Sequence, residues 1–174
     1  PSRSGSAAFA GITVMMPVYI GVVSDSHGNN CHWQKLTDDC PQVKAWFHCG
    51  DYCRDAEELA YYTDAPVYTV KGNNDYFDTY KAPDEALITV DDIRIYMTHG
   101  HGRTLKSMAA TAEAKGAQLV LFGHTHRICE ERIGDVTLVN PGSIAFPRDG
   151  RYGTYALCCL ENRVIKEVRF FEIL

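Results

Sequence analysis

With 174 residues, 45% apolar and 22% charged, the chain has the composition of one globular domain large enough to bury a core. Seventeen Lys and Arg against 22 Asp and Glu leave a net charge of −5, which argues against gripping duplex nucleic acid or an anionic membrane by bulk charge. That balance does not exclude a phosphorylated substrate, because a bound cation would reverse the local sign.

Residues 1–15 open with the small polar run Pro1 to Ser6 and continue into a short apolar stretch. They make a poor secretory signal and are expected to be a tag or disordered extension, which leaves residues 16–174 as a single domain. Val18–Ser24 predicts a first strand and Cys31–Cys40 a helix closed by Pro41. Ala45–His48 predicts a second strand, Asp55 the N-cap of a helix through Tyr62, and Val67–Val70 a third strand. Three strand-loop-helix units in succession are the mark of a largely parallel sheet.

The second half changes character. Ala86–Val90 and Ile93–Thr98 predict a hairpin across Asp91-Asp92, a turn pair without Gly. Thr104–Lys115 predicts a helix stopped by Gly116, and Gln118–Phe122 a strand. Ile128–Ile133 with Val136–Val139, and Tyr152–Leu160 with Val164–Ile173, predict two more hairpins. The fold class expected is α/β, with two packed sheets and helices outside. No stretch approaches the ~18–20 apolar residues of a membrane span. The seven cysteines (Cys31, Cys40, Cys49, Cys53, Cys129, Cys158 and Cys159) form no Cys-x-x-Cys pair and are expected to be reduced thiols in a cytoplasmic protein. Cys49 and Cys53 could be half of a zinc site, but no second pair completes it.

Chemistry-bearing side chains gather where strands end. Asp25 and His27 follow the first strand, and their spacing would put both on one side of an extended backbone. Asp51, Asn73, His99, His124 and His126 follow later strands. Each has an ordinary reading alone: a turn Asp, a helix cap, a turn Asn, a surface His pair. Jointly, five loops each offering nitrogen or oxygen ligands at the same structural position point to cations. Seven such groups suffice for two cations sharing one carboxylate. Carboxylate, amide oxygen and imidazole together suit Mn²⁺, Fe²⁺ or Zn²⁺ better than Ca²⁺. Neighbouring glycines (Gly28, Gly50, Gly72, Gly100 and Gly123) would allow sharp turns and close approach.

The ordered motifs Asp25-x-His27, Gly50-Asp51, Gly72-Asn73-Asn74-Asp75, His99-Gly100-His101 and Gly123-His124-Thr125-His126 resemble those of the calcineurin-like metallophosphoesterases. Short length, the hairpin before His99 and Asn140-Pro141-Gly142-Ser143 resemble its small bacterial and archaeal phosphodiesterase subfamily, whose fold the retromer subunit Vps29 shares. The resemblance runs from Val18 to Leu174 and implies a four-layer α-β-β-α sandwich of two mixed sheets. It implies one metal on Asp25, His27, Asp51 and His126, and a second on Asp51, Asn73, His99 and His124, with Asp51 bridging.

The cofactors implied are two divalent ions, with Mn²⁺ expected and Ni²⁺, Fe²⁺ or Zn²⁺ as alternatives. The implied activity is hydrolysis of a phosphate ester, foremost a phosphodiester, by a metal-bridging hydroxide. Asp51, Asn73 and His101 are the catalytic candidates; Asn29, His101 and Arg148 are candidates for substrate contact. Many family members carry His where Asn74 stands, and the subfamily usually has Cys; Asn cannot protonate a leaving oxygen. The expected partner is a small phosphate ester, not a membrane or nucleic acid, with a homo-oligomer left open. The competing readings are a Vps29-like interaction scaffold and a nuclease, the latter disfavoured by the acidic charge.

Overall fold

The computed structural model describes residues 16–28, 32–76 and 80–174. Residues 1–15 and Asn29, which carry two of the sequence expectations, lie outside the described residues, as does Cys31. The elements run β1 (Val18–Val23), α1 (Trp33–Asp39), β2 (Val43–His48), α2 (Asp55–Tyr61), β3 (Val67–Thr69), β4 (Glu85–Val90) and β5 (Ile93–Thr98). They continue as α3 (Leu105–Ala114), β6 (Leu119–Leu121), β7 (Ile128–Ile133), β8 (Val136–Pro141), β9 (Thr154–Glu161) and β10 (Val164–Glu172).

Two five-stranded mixed sheets result, in the orders β10-β9-β1-β2-β3 and β4-β5-β6-β8-β7. β1, β2 and β3 are parallel in the first; β5, β6 and β8 are parallel in the second. β1 is flanked on both sides, so it reads as a continuous apolar run instead of an alternating one. Ile20, Val22, Phe47, Ile95, Met97, Leu119, Leu121, Ala156 and Cys158 fill the space between the sheets. Trp33, Leu36, Trp46 and Leu59 join α1 and α2 to the outside of the first sheet. Met108, Ala109 and Ala112 of α3 pack on Tyr96, Val120 and Leu138 outside the second. The layers are helix, sheet, sheet, helix, as expected. Trp46 presses so closely on β1 that a Cβ at Gly21 would meet its ring at 2.3 Å.

Local differences from the sequence reading have local causes. Asp55 does not cap α2; Arg54 occupies the N-cap, and the buried Asp55 carboxylate accepts the Gly28 amide at 2.9 Å. A buried carboxylate is better satisfied by a tertiary donor than by the exposed end of a seven-residue helix. Thr104 caps α3 instead of lying within it, exchanging side-chain bonds with Ser107. Among the described residues no disulfide forms. Burial pushes the Cys158 thiol up to about 12 and the Cys49 thiol well above its ordinary range. No described helix is long and apolar enough to cross a membrane.

Two of the tight hairpins use two residues with positive φ: Asp91 and Asp92 at 49° and 61°, Asn162 and Arg163 at 52° and 61°. This is the type I′ geometry that matches strand twist, and it favours Asn then Gly. Arg163 is the poorest fit, and its ion pair with Asp92 is exposed and worth little. Arg163→Gly is therefore expected to raise unfolding free energy by about 0.5–1 kcal/mol in denaturant titration. A loss of stability would mean that the ion pair outweighs the backbone strain.

Candidate metal centre

All six parallel strands present their C-terminal ends at one edge of the sandwich. The loops after β1, β2, β3, β5, β6 and β8 therefore meet there. Backbone bonds lock them together: Asp25 N to Gly50 O at 3.0 Å, Gly123 N to His99 O at 3.0 Å, and, across the two sheets, Ile144 N to Ser24 O at 3.1 Å. The sequence reading placed these residues at strand ends; the sheet topology makes those ends coincide.

Asp25, His27, Asp51 and His126 each offer a ligand atom within 4.8 Å of the others, a cluster able to hold a metal ion. Asp25 is fully buried. Its Oδ2 accepts Ser24 Oγ at 2.6 Å and the His124 amide at 3.0 Å. Its Oδ1 accepts no hydrogen bond, although His126 Nε2 lies 3.3 Å away. The geometry gives the reason. His126 Nδ1 donates to Phe146 O at 2.7 Å, so a neutral ring turns its Nε2 lone pair toward the carboxylate. His27 Nε2 stands 3.3 Å from the same nitrogen and 3.6 Å from Asp51 Oδ2. Lone pairs converging on an orphaned buried carboxylate oxygen call for a cation between them. A proton serves without one: the Asp25 carboxylate, which a protonated ring would bond, raises the His126 pKa above the usual imidazole value. Burial alone would raise the Asp25 pKa, but His126, His99 and Ser24 together hold it below the usual carboxylate range.

A second group adjoins the first. His99 Nδ1 is fixed on Cys49 O at 2.7 Å, leaving Nε2 to face Asn73 Oδ1 at 3.0 Å and Asp51 Oδ1 at 3.4 Å. His124 Nδ1 meets the same Asn73 oxygen at 3.1 Å. Asp51 thus turns Oδ2 toward His27 and Oδ1 toward His99. Burial, then the neighbouring His99, lower the His124 pKa.

Asn74 is engaged with this carboxylate: its amide N–H donates to Asp51 Oδ1 at 3.0 Å and its side-chain Nδ2 to Oδ2 at 2.7 Å. His101 is half-buried beside His99 and His124, with Nε2 3.3 Å from Tyr76 OH and a buried Nδ1 that finds no partner among the described residues. Arg148 is exposed; its backbone N–H reaches His126 O at 2.9 Å, while its charge opposes protonation of His126.

One expectation is overturned. Asp25 and His27 do not lie on extended backbone; their φ values are 55° and 51°. Asp51, His124 and His126 also have positive φ, at 57°, 73° and 58°. Left-handed turns, not strand alternation, aim these side chains at one point. Such conformations cost about 1–2 kcal/mol each and persist only where surroundings over-determine them. Two supports escaped the sequence reading as site residues. His48, fully buried, donates Nε2–H to Ser26 Oγ at 2.8 Å and accepts the Gly50 amide on Nδ1; burial holds its pKa down. Asp75 takes the amides of Gly72, Tyr52 and Cys53 at 2.8–3.1 Å and so joins two loops. A titratable residue ending an apolar strand was the available signal for His48.

The chain matches the calcineurin-like phosphoesterase superfamily domain over residues 18–163. It is 35% identical to a probable metallophosphoesterase, YsnB, of Bacillus subtilis, over 87% of this chain and 89% of that protein. It is 27% identical to a phosphodiesterase of Methanocaldococcus jannaschii, over 71% of this chain and 82% of that protein. The solved structure of a Vps29 variant from Entamoeba histolytica superposes with a TM-score of 0.68 over 90% of this chain and all of that one, at 16% identity, a likeness of fold alone.

The protein belongs to the calcineurin-like phosphoesterase superfamily. Within that class it is a metal-dependent phosphoesterase, with a cluster suited to a cation at the shared edge of its two sheets.

Gly72 tests the packing of this edge. A Cβ there would sit 2.1 Å from Asp51 Oδ1 and 2.4 Å from its backbone N. Gly72→Ala should displace the Asp51 carboxylate, lower metal content after gel filtration well below wild type, and cost about 1–3 kcal/mol of stability. A variant that keeps the wild-type metal complement would show that Asp51 does not need its present position.

Proposed function

We propose that the protein is a phosphodiesterase working with two divalent cations, with Mn²⁺ expected and Ni²⁺, Fe²⁺ or Zn²⁺ as alternatives. The observation that carries this reading is the Asp51 carboxylate, which turns one oxygen to each of two adjoining ligand groups. Asp25, His27, Asp51 and His126 would hold one ion; Asp51, Asn73, His99 and His124 would hold the other. When bound, such a pair activates water at neutral pH and neutralises charge on a phosphoryl group.

The chain's own residues do the positioning. Phe146 O and Cys49 O fix the tautomers of His126 and His99, so each would have Nε2 free to hold an ion. The Asn74 amides hold Asp51 in register between the two groups. His101 lies beside His99 and His124, where its half-buried ring can meet a phosphate oxygen. Arg148 would add a more distant positive charge. The archaeal relative named as a phosphodiesterase supports a diester as substrate. The Vps29 likeness rests on fold alone, while all seven expected ligands are present here; the enzyme reading is therefore preferred to the scaffold.

Asn74 braces Asp51 with its side chain, and an amide does not ionise near neutral pH, so it cannot protonate a departing oxygen. Hydrolysis should therefore depend steeply on leaving-group pKa. Nitrophenyl diesters should turn over faster than unsubstituted phenyl diesters by about 10²–10⁴-fold, the range a general acid would recover. A flat dependence with chemistry rate-limiting would reveal another proton donor and make His101 the first residue to replace. Metal analysis of the loaded protein should find two ions per chain. Asp51→Asn should lose both and His126→Ala chiefly one; two tightly held ions in Asp51→Asn would sink the assignment.

A further inference from the structure

Two large aromatic rings stand beside the ligand cluster with much of their surface open. Tyr52 is 44% exposed and Phe146 55% exposed. Both flank His27, with ring centroids 5.5 Å and 5.7 Å from that imidazole. Their backbones are tied by hydrogen bonds to buried groups of this edge. The Tyr52 amide donates to the buried Asp75 carboxylate at 2.8 Å, and its ring lies against Gly28. The Phe146 amide donates to Ser143 Oγ at 2.7 Å, while its carbonyl orients His126. Ser143 is in turn bonded to the Asp25 carbonyl at 2.8 Å. These rings are thus held by the same bonds that shape the cluster, yet the ring surfaces remain in water.

We infer that Tyr52 and Phe146 form a stacking platform for a flat aromatic substituent on the phosphate ester, an inference that rests on the phosphoesterase reading above. Exposed aromatic surface is costly in water and gains from a planar ligand. Because both backbones are pinned, little freedom is lost when a ring settles on them. An ester whose phosphate sits on the cluster must carry its substituents past the surrounding walls, and these rings make the wall at His27. Stacking without directed hydrogen bonds tolerates different rings, so a nucleobase and a phenolic ring present the same chemistry.

The test is calorimetric binding of non-hydrolysable ligands to the Mn²⁺-loaded full chain. Phenylphosphonate and methylphosphonate share a head group and differ only in the ring. Phenylphosphonate should bind about tenfold or more tighter to the wild type. The double variant Tyr52→Leu with Phe146→Leu keeps apolar bulk and should bring the two ligands within about twofold, whereas Tyr52→Phe, which keeps the ring, should retain the advantage. Thermal melting verifies that each variant is folded. The 5′-methylene phosphonate analogues of thymidine 5′-monophosphate and of 2-deoxyribose 5-phosphate, which share a sugar and cannot be hydrolysed, separate the sources: an advantage of the first over the second as large as that of phenyl over methyl assigns a nucleobase, and a smaller one a phenolic ring. Equal binding of the two phosphonates to the wild type, or an advantage that survives the double leucine variant, would overturn the platform. Failure of both phosphonates to bind would overturn the phosphoesterase reading beneath it.

Discussion

The constraint on which the rest depends is the burial of two carboxylates, Asp25 and Asp51, at the edge where the sheets meet. Removing a carboxylate from water costs several kcal/mol unless charge and hydrogen bonds return it. Asp25 recovers part of that at Oδ2, through Ser24 and the His124 amide, and leaves Oδ1 facing imidazoles. Asp51 is held by both nitrogens of Asn74. What remains is a negative pocket walled by histidines, for which a cation is the complementary partner. A proton on His126 is the weaker substitute, which is why the His126 pKa is raised and that of Asp25 lowered.

Holding such a pocket open requires rigidity supplied from elsewhere. Five of the candidate ligands, Asp25, His27, Asp51, His124 and His126, sit at positive φ without being glycine. The apolar layer between the sheets, with Phe47, Met97 and Leu121 fully buried, leaves the strand ends little room to relax. Buried polar supports convert that rigidity into aim. His48 spans Ser26 and Gly50, Asp75 ties two loops, and the Asn140 amide grips Gly123 O at 2.8 Å. A Cβ at Gly123 would approach Ser24 Oγ to 2.0 Å. The site is therefore strained locally and supported globally, the usual arrangement where function fixes backbone geometry.

Much of this was legible in the sequence because strand ends carry their own signals. Apolar runs stopped by Gly-Asp, Gly-Asn and Gly-His located the loops, and the order of those motifs matched the family before any geometry was known. The change between parallel units and hairpins accommodated two packed sheets with helices outside, and the family resemblance implied the four-layer sandwich. What sequence could not supply was direction. Two residues spaced as Asp25 and His27 share a side only on extended backbone, and nothing local announces that both turn left-handed. Asp55 reads as a helix cap until the Gly28 amide, far away in sequence, is seen to claim its carboxylate. Asn74 reads as a missing acid; only in three dimensions is it a brace on Asp51.

The central claim, that one carboxylate serves two adjoining cation sites, is tested most directly by a crystal structure of the Mn²⁺-loaded protein with anomalous scattering from the metal. The account predicts two anomalous peaks about 3.5–4 Å apart. One should lie among Asp25, His27 and His126, the other among Asn73, His99 and His124, with Asp51 between them. A single peak, or two peaks with Asp51 bound to only one, would contradict it.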